Sequence, residues 1–361
     1  MTIEDRIKDI EDELKKTQYN KATEHHVGLL KAKLSKLQIE AESHKKGGGS
    51  GFAVPKSGDA TIALVGFPNV GKSSILNSLT NSDSEVGNFA FTTLTVIPGT
   101  LNYRGAQIQI LDLPGIIDNA ALGSGRGREI LSMVRNADLV VIVTDIKVNG
   151  IDRIVAELYK AGIVLNKKRK NIAIRKRNSG GIKIHKPKNV DIDNQEIKDI
   201  LKEFKITNAD FYIRESIEVD DIIEFMRGNV VYVPSFVVVN KMDLPHDEKE
   251  IQRAVEDLGE IVKLSASKRI GMEDLKEKIY DSLRLVRIYM REKSGEVDYE
   301  RPLVLTRGSK VKDVARKISR EMLRSFRYAI ISGPNRKVAE LRVGLEYEVL
   351  DEDVITLISR N

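Results

Sequence analysis

Four short stretches of this chain carry residue types and spacings that could do chemistry together. The first is Gly66-Phe67-Pro68-Asn69-Val70-Gly71-Lys72-Ser73, of the form G-x-x-x-x-G-K-S, followed by Ser74. Glycines at 66 and 71 allow a tight turn and let backbone N–H groups approach an anion. The Lys72 cation suits β- and γ-phosphates, and the Ser73 hydroxyl suits Mg²⁺. The second stretch is Asp112-Leu113-Pro114-Gly115. A carboxylate there can hold the same Mg²⁺, usually through water.

Asn240-Lys241-Met242-Asp243 is the third stretch. The Asp243 carboxylate can accept from N1–H and the 2-amino group of guanine. Adenine offers neither donor, so it would leave a buried carboxylate facing a lone pair. Lys241 can lay its stem over the base, and Asn240 can tie the base loop to the phosphate loop. The fourth, Ser265-Ala266-Ser267, can offer a backbone N–H to the guanine carbonyl. Alone, the first stretch says nucleoside triphosphate without saying which, and a lone N-K-x-D reads as an ordinary loop. In this order, each after an apolar run, they point to a guanine nucleotide site at the carboxyl edge of a parallel sheet.

The elements that must position them are legible as apolar runs. Thr61-Ile62-Ala63-Leu64-Val65 reads as a buried strand before the glycine loop, and Ile75, Leu76 and Leu79 mark a helix after it. Ile108-Gln109-Ile110-Leu111, Asp138-Leu139-Val140-Val141-Ile142-Val143, Phe236-Val237-Val238-Val239 and Ile261-Val262-Lys263-Leu264 read as further strands. Between the first two motifs, Asn88 to Thr95 offers a threonine that can ligate Mg²⁺ and close over a γ-phosphate. Thr93 is favoured, Thr92 is second, and Thr95 suits a strand. Glycines between 115 and 127, before a helix at 128–135, suggest a second mobile switch.

From Asp112 to Asn240 the core needs two βα crossovers, on the order of 60 residues. The chain supplies about twice that, which places an insert at about 164–233. Its start is basic: Lys167-Lys168-Arg169-Lys170, Arg175-Lys176-Arg177, Lys183, His185, Lys186 and Lys188. Interleaved isoleucines at 172, 174, 182 and 184 suggest a β-hairpin turning at Asn178-Ser179-Gly180-Gly181. Such a hairpin suits RNA phosphates, although charge runs are more often solvated surface. Helical patterns at 194–204 and 219–226 complete the insert.

Before the core, Ile3, Ile7, Ile10 and Leu14, then Leu29, Leu30, Leu34 and Leu37, recur at helical spacing and predict a helical hairpin over 1–46. No compact basic recognition face appears there, so DNA is not an expected partner. Gly47-Gly48-Gly49-Ser50-Gly51 reads as a hinge. After about residue 285 come strands near 302–305, 328–331 and 354–358. A helix over 311–323, with Val314, Ala315, Ile318 and Met322 inward, completes a small α+β module.

Composition sets bounds. The chain of 361 residues is 41% hydrophobic, enough for more than one core. There is no cysteine, which excludes disulfides, thiol catalysis and cysteine-based metal sites. No apolar run nears the roughly 18 residues of a spanning helix, and the charged N-terminus has no signal core. A cytoplasmic protein without a membrane partner is expected. The net charge of +6 permits nucleic-acid contact without requiring it. The five histidines show no metal-ligand spacing.

The order of parts resembles the OBG superfamily of P-loop GTPases, most closely the developmentally regulated GTP-binding proteins. The residues that carry the resemblance are Asn20 to His26, the glycine hinge, Gly66 to Ser73, Phe91-Thr92-Thr93-Leu94, Asp112 to Gly115, Asn240 to Asp243, and Asp351-Glu352-Asp353-Val354 near the end of the C-terminal module. The resemblance implies an α/β fold: a doubly wound P-loop GTPase sheet over 60–290, an N-terminal helical hairpin, a small α/β insert and a C-terminal β-grasp (TGS) domain over 291–361. It implies GTP hydrolysis to GDP, a ribosome or RNA partner in translation, and a small stimulatory protein. The nucleotide would touch Gly66, Pro68, Asn69, Val70, Gly71, Lys72, Ser73, Ser74, Asp112, Gly115, Asn240, Lys241, Asp243, Ser265 and Ala266. Lys72, Thr93 and Asn69 would act in catalysis, and Ser73, Thr93 and Asp112 on Mg²⁺.

Ile116 stands where many such GTPases place a water-orienting glutamine, and an aliphatic side chain cannot orient water. The P-N-V-G-K-S form resembles GTPases in which the asparagine ligates a potassium ion that supplies transition-state charge; Asn69 could equally be a turn residue. Two other readings stand beside the hydrolysing switch. One is a scaffold that uses GTP only for stability. The other is an RNA-modifying enzyme, against which the lack of a second catalytic constellation argues.

Overall fold

The computed structural model describes residues 2–18, 20–21, 23–44, 56–80, 97–113, 125–256, 259–291 and 295–360. In chain order, the first elements are α1 (Ile3–Lys16), α2 (Glu24–His44), β1 (Ala60–Val65), α3 (Lys72–Leu79), β2 (Ile97–Tyr103) and β3 (Ala106–Asp112). Then come α4 (Gly125–Asn136), β4 (Leu139–Asp145), α5 (Ile151–Lys160), β5 (Ile163–Leu165), β6 (Ile172–Lys176), β7 (Ile182–His185), α6 (Asn194–Glu203), β8 (Ala209–Ile213), α7 (Val219–Arg227) and β9 (Val231–Val233). They are followed by β10 (Ser235–Asn240), α8 (Glu248–Val255), β11 (Ile261–Lys263) and α9 (Met272–Ser282). The last are β12 (Leu285–Arg291), β13 (Val297–Thr306), α10 (Val311–Ile318), α11 (Arg320–Ser325), β14 (Phe326–Ser332), β15 (Leu341–Val343) and β16 (Asp353–Ser359). Two compact units result, residues 1–51 with 156–232 and residues 52–155 with 233–361.

In the larger unit a six-stranded sheet has the order β11-β10-β4-β1-β3-β2. Every pairing is parallel except β2 with β3. Parallel strands are covered on both faces, so they read as unbroken apolar runs, and every residue of β1 is buried. Ile62 and Leu64 pack with Ile75, Leu76 and Leu79 of α3 and with Leu275 and Ile279 of α9. α4 also packs on β1, and its Ile130, Met133 and Val134 are buried.

A five-stranded sheet, β13-β12-β16-β14-β15, ends the chain. Its β12–β16 pair is parallel and the others are antiparallel. The helix expected over 311–323 is two. Ser319 ends α10, its backbone is extended, and its hydroxyl accepts from Met322 N–H at 2.9 Å to start α11. A serine that satisfies an N–H three residues on competes with helix continuation. Val314 and Ala315 are buried as expected, but beyond them Ile318 is 41% exposed.

The smaller unit packs α2 against α1, α6 and α7. Its three-stranded sheet has the order β6-β8-β7, so the expected hairpin is corrected. β8 lies between the two isoleucine strands, antiparallel to β6 and parallel to β7. Asn208 holds the connection open: its carbonyl accepts from Arg177 N–H at 3.0 Å and its side chain from Gly181 N–H at 2.9 Å. The apolar side of this sheet packs Phe211 with Ile197, Ile200 and Ile222. No helix among the described residues is long and apolar enough to cross a membrane.

Candidate nucleotide site

The C-terminal ends of β1, β3, β10 and β11 bring the described residues of the four stretches to one edge of the parallel sheet. Gly66 closes β1 where only glycine fits, because a Cβ there would lie 2.3 Å from the Val143 carbonyl oxygen. The loop then turns through Asn69, in the left-handed region at φ 64°, and Gly71 at φ 95°, which begins α3. Pro68 and Asn69 are exposed and Val70 is buried. Lys72 is buried, and its ammonium donates to the Gly66 and Phe67 carbonyls at 3.0 Å each. Burial pushes this ammonium below its ordinary pKa, against the pull of the Asp112 charge. Ser73 and Ser74 are exposed on the first turn of α3.

Ser73 Oγ donates to Asp112 Oδ2 at 2.5 Å. The hydroxyl and carboxylate named for Mg²⁺ are therefore neighbours. An oxygen-only pair fits a hard cation that keeps waters and phosphate oxygens for its remaining positions. Thr92, Thr93, Thr95, Pro114, Gly115 and Ile116 lie outside the described residues.

Asn240 joins the phosphate loop to the base loops. It is 3% exposed; its Nδ2 donates to the Val70 carbonyl and its Oδ1 accepts from Ala266 N–H, each at 3.0 Å. Asp243 is exposed, and its Oδ1 accepts from Ser265 Oγ at 2.6 Å, which holds the carboxyl below the usual carboxylate range. Met242 N–H donates to the Leu264 carbonyl at 3.1 Å, joining the third stretch to the fourth.

Sequence reasoning missed Asp145 and Ser78. Asp145 ends β4 and accepts from Lys241 Nζ at 3.4 Å, which anchors the residue expected to cover the base. Its signal was a carboxylate closing an apolar strand, as at Asp112. Ser78 donates to the Ala266 carbonyl at 3.2 Å; a serine inside a helix gives no comparable signal.

Comparison with known proteins follows the same segments. A model described as a 50S ribosome-binding GTPase matches residues 61–176, one of the C-terminal region of that GTPase domain matches 179–285, and a TGS domain model matches 286–359. A GTP-binding protein of Methanocaldococcus jannaschii is 47% identical over 364 residues, covering 99% of this chain and 93% of that one. Developmentally-regulated G-protein 3 of Arabidopsis thaliana is 43% identical over 369 residues, 99% of each chain. Developmentally-regulated GTP-binding protein 1 of Xenopus laevis is 42% identical over 369 residues, 98% of each.

Proposed function

The chain belongs to the developmentally regulated GTP-binding protein family of OBG-type GTPases, and from that premise we propose that it is a Mg²⁺-dependent, potassium-stimulated GTP switch acting on the ribosome in translation. The observation that carries the nucleotide part is the Asn240 amide, which spans from Val70 to Ala266 and so links the phosphate end of a site to its base end. Asp243, oriented by Ser265, selects guanine. Lys72, already stripped of water and held by two carbonyls, exchanges those contacts for phosphate oxygens. Ser73 and Asp112 hold Mg²⁺, which supplies charge neutralisation on the phosphates.

The loops at Thr93 and Gly115 respond to the γ-phosphate and let go after hydrolysis. With isoleucine at 116, Asn69 would hold a potassium ion, which would supply the transition-state charge. The left-handed backbone of Asn69 accounts for asparagine by itself, yet its amide remains exposed on the loop. The ribosomal part is supported by the description of the family model over 61–176. A small stimulatory protein is a further partner on this reading, and the site of action is the cytoplasm.

GTP turnover in potassium against sodium, for the natural chain and Asn69→Ala, tests the ion. Stimulation by potassium that disappears in Asn69→Ala is expected; equal rates in both salts would reject it. Co-sedimentation with ribosomal subunits, with GDP against a non-hydrolysable GTP analogue, tests the partner. Ile116 supports a second reading, a GTP-stabilised ribosome-binding scaffold, which predicts co-sedimentation with negligible turnover in either salt.

A further inference from the structure

The outer face of the β6-β8-β7 sheet has a composition that folding does not require. Strand register places Arg175, Asp210 and Lys183 in one row, and Ala173, Tyr212 and His185 in the next. Side chains alternate between faces along a strand. These rows therefore lie opposite the core row of Ile174, Phe211 and Ile184. The His185 ring stacks on Tyr212, with centroids 4.6 Å apart and planes 11° from parallel.

Asp210 is only 1% exposed, and neither carboxylate oxygen has a well-formed hydrogen bond among the described residues. A buried carboxylate at the centre of a sheet is costly unless opposite charge meets it. Arg177 reaches it at 2.5 Å, and His185 Nε2 lies 3.8 Å away. Asp210 thus holds the arginine that follows β6 and the imidazole of β7 over the central strand, with the imidazole flat on Tyr212. Two other lysines of this region have structural duties. Lys170 donates to the Ser216 carbonyl at 2.9 Å, and Lys186 to the carbonyls of Val190 and Ile192. Arg175 and Lys183 are exposed beside the ring pair instead.

We propose that this face binds single-stranded RNA, with a base stacked on the His185–Tyr212 pair and its flanking phosphates on Arg175, Arg177 and Lys183. A preformed flat ring surface between cations is what an unpaired base and its backbone require. An acidic protein would use the charges and leave the rings idle, and a duplex would not expose a base to stack. The inference names a surface for the RNA or ribosome partner proposed above, and so rests on that reading.

The test is anisotropy of a labelled RNA strand of about 12 nucleotides, within the range of single-strand sites, titrated with the full-length chain. Tyr212→Ala is expected to weaken binding about tenfold, the loss of one stacked base, while Tyr212→Phe keeps it. His185→Ala repeats the stacking test at an exposed position should Tyr212→Ala misfold. Arg175→Ala with Lys183→Ala is expected to flatten the dependence of log affinity on log salt by about 1.4, about 0.7 for each phosphate contact. Absence of RNA binding by the natural chain, or unchanged binding in all four variants, overturns the proposal. So does polyglutamate binding as tightly as RNA with the ring variants silent, which marks a protein surface. Ribosome co-sedimentation of the same variants separates the two readings. Natural-chain sedimentation with unaltered variants sinks this face and leaves the ribosomal reading. RNA binding that depends on the face without sedimentation does the reverse.

Discussion

A single methyl group at position 71 tests how the two ends of the nucleotide site are tied. A Cβ on Gly71 would lie 2.2 Å from Asn240 Nδ2. That amide cannot swing aside freely, because Val70 holds one end and Ala266 the other, both at 3.0 Å, in a nearly closed environment. Gly71→Ala therefore expels the amide and leaves the Val70 carbonyl and the Ala266 N–H unpaired, and both residues are buried. Each orphaned group costs about 1–3 kcal/mol, and the left-handed backbone at φ 95° adds about 1–2 kcal/mol once a Cβ is present. The expected cost is about 3–8 kcal/mol for Gly71→Ala and about 2–6 kcal/mol for Asn240→Ala. The double variant loses the amide bridge only once, so the two changes should fail to add by about 2–6 kcal/mol. Urea unfolding of the nucleotide-free chain reads the cost where it destabilises the fold. Titration with a fluorescent GDP reads it where the loops only loosen. Coupling below about 0.5 kcal/mol in both measurements would refute the bridge.

Other consequences follow from particular contacts. Asp243→Asn exchanges a carboxylate for an amide with a donor, so preference should move from GTP toward xanthosine triphosphate in competition assays; an unchanged ranking rejects the base assignment. Asp353 is fully buried and accepts from Arg336 at 3.0 and 2.5 Å and from Leu350 N–H at 2.7 Å. Asp353→Ala leaves the guanidinium with the Glu348 carbonyl and the Tyr347 hydroxyl but without its counter-charge, and should cost about 3–5 kcal/mol; a loss under about 1 kcal/mol in urea unfolding would contradict this. Glu346, held first by Lys310 and then by Lys312, has its pKa lowered to about 2. A depressed carboxylate pKa stabilises the fold fully above the unfolded value of about 4.3, and the effect fades as pH falls toward the folded value. The melting temperature of the natural chain should accordingly exceed that of Glu346→Gln at pH 6 and converge with it near pH 2; a gap that persists at low pH rules out the ion pairs as its cause.

What could be read in advance divides along a physical line. The loops were legible because strand, turn and helix signals are local and the chemistry of each loop is written in adjacent residues. The Asn240 tie was foreseeable as chemistry, since an amide can donate and accept at once. The need for Gly66 was only half legible: the phosphate reason is local, but the Val143 carbonyl that excludes a Cβ comes from another strand. Lys241 is similar. Its anchor, Asp145, is almost a hundred residues away, and only the sheet order makes them neighbours.

The insert shows why turn chemistry does not decide strand pairing. Asn178-Ser179-Gly180-Gly181 marks a place where the chain reverses, and it does reverse there: β6 runs antiparallel to β8 while β7 runs parallel to it. A reversal still leaves two outcomes, direct pairing of the arms or a third strand between them. Burial favours the second. β6 and β7 are largely half-buried or exposed, whereas four of the five residues of β8 are buried. A strand with that much to bury gains more at the centre of a sheet than at an edge. Asn208 then satisfies the backbone groups that the parted arms can no longer offer each other. Ser319 is the counterpart on the helical side. Helical periodicity runs through it, so the pattern predicts one helix, and a single hydroxyl bonded to the N–H three residues on makes two.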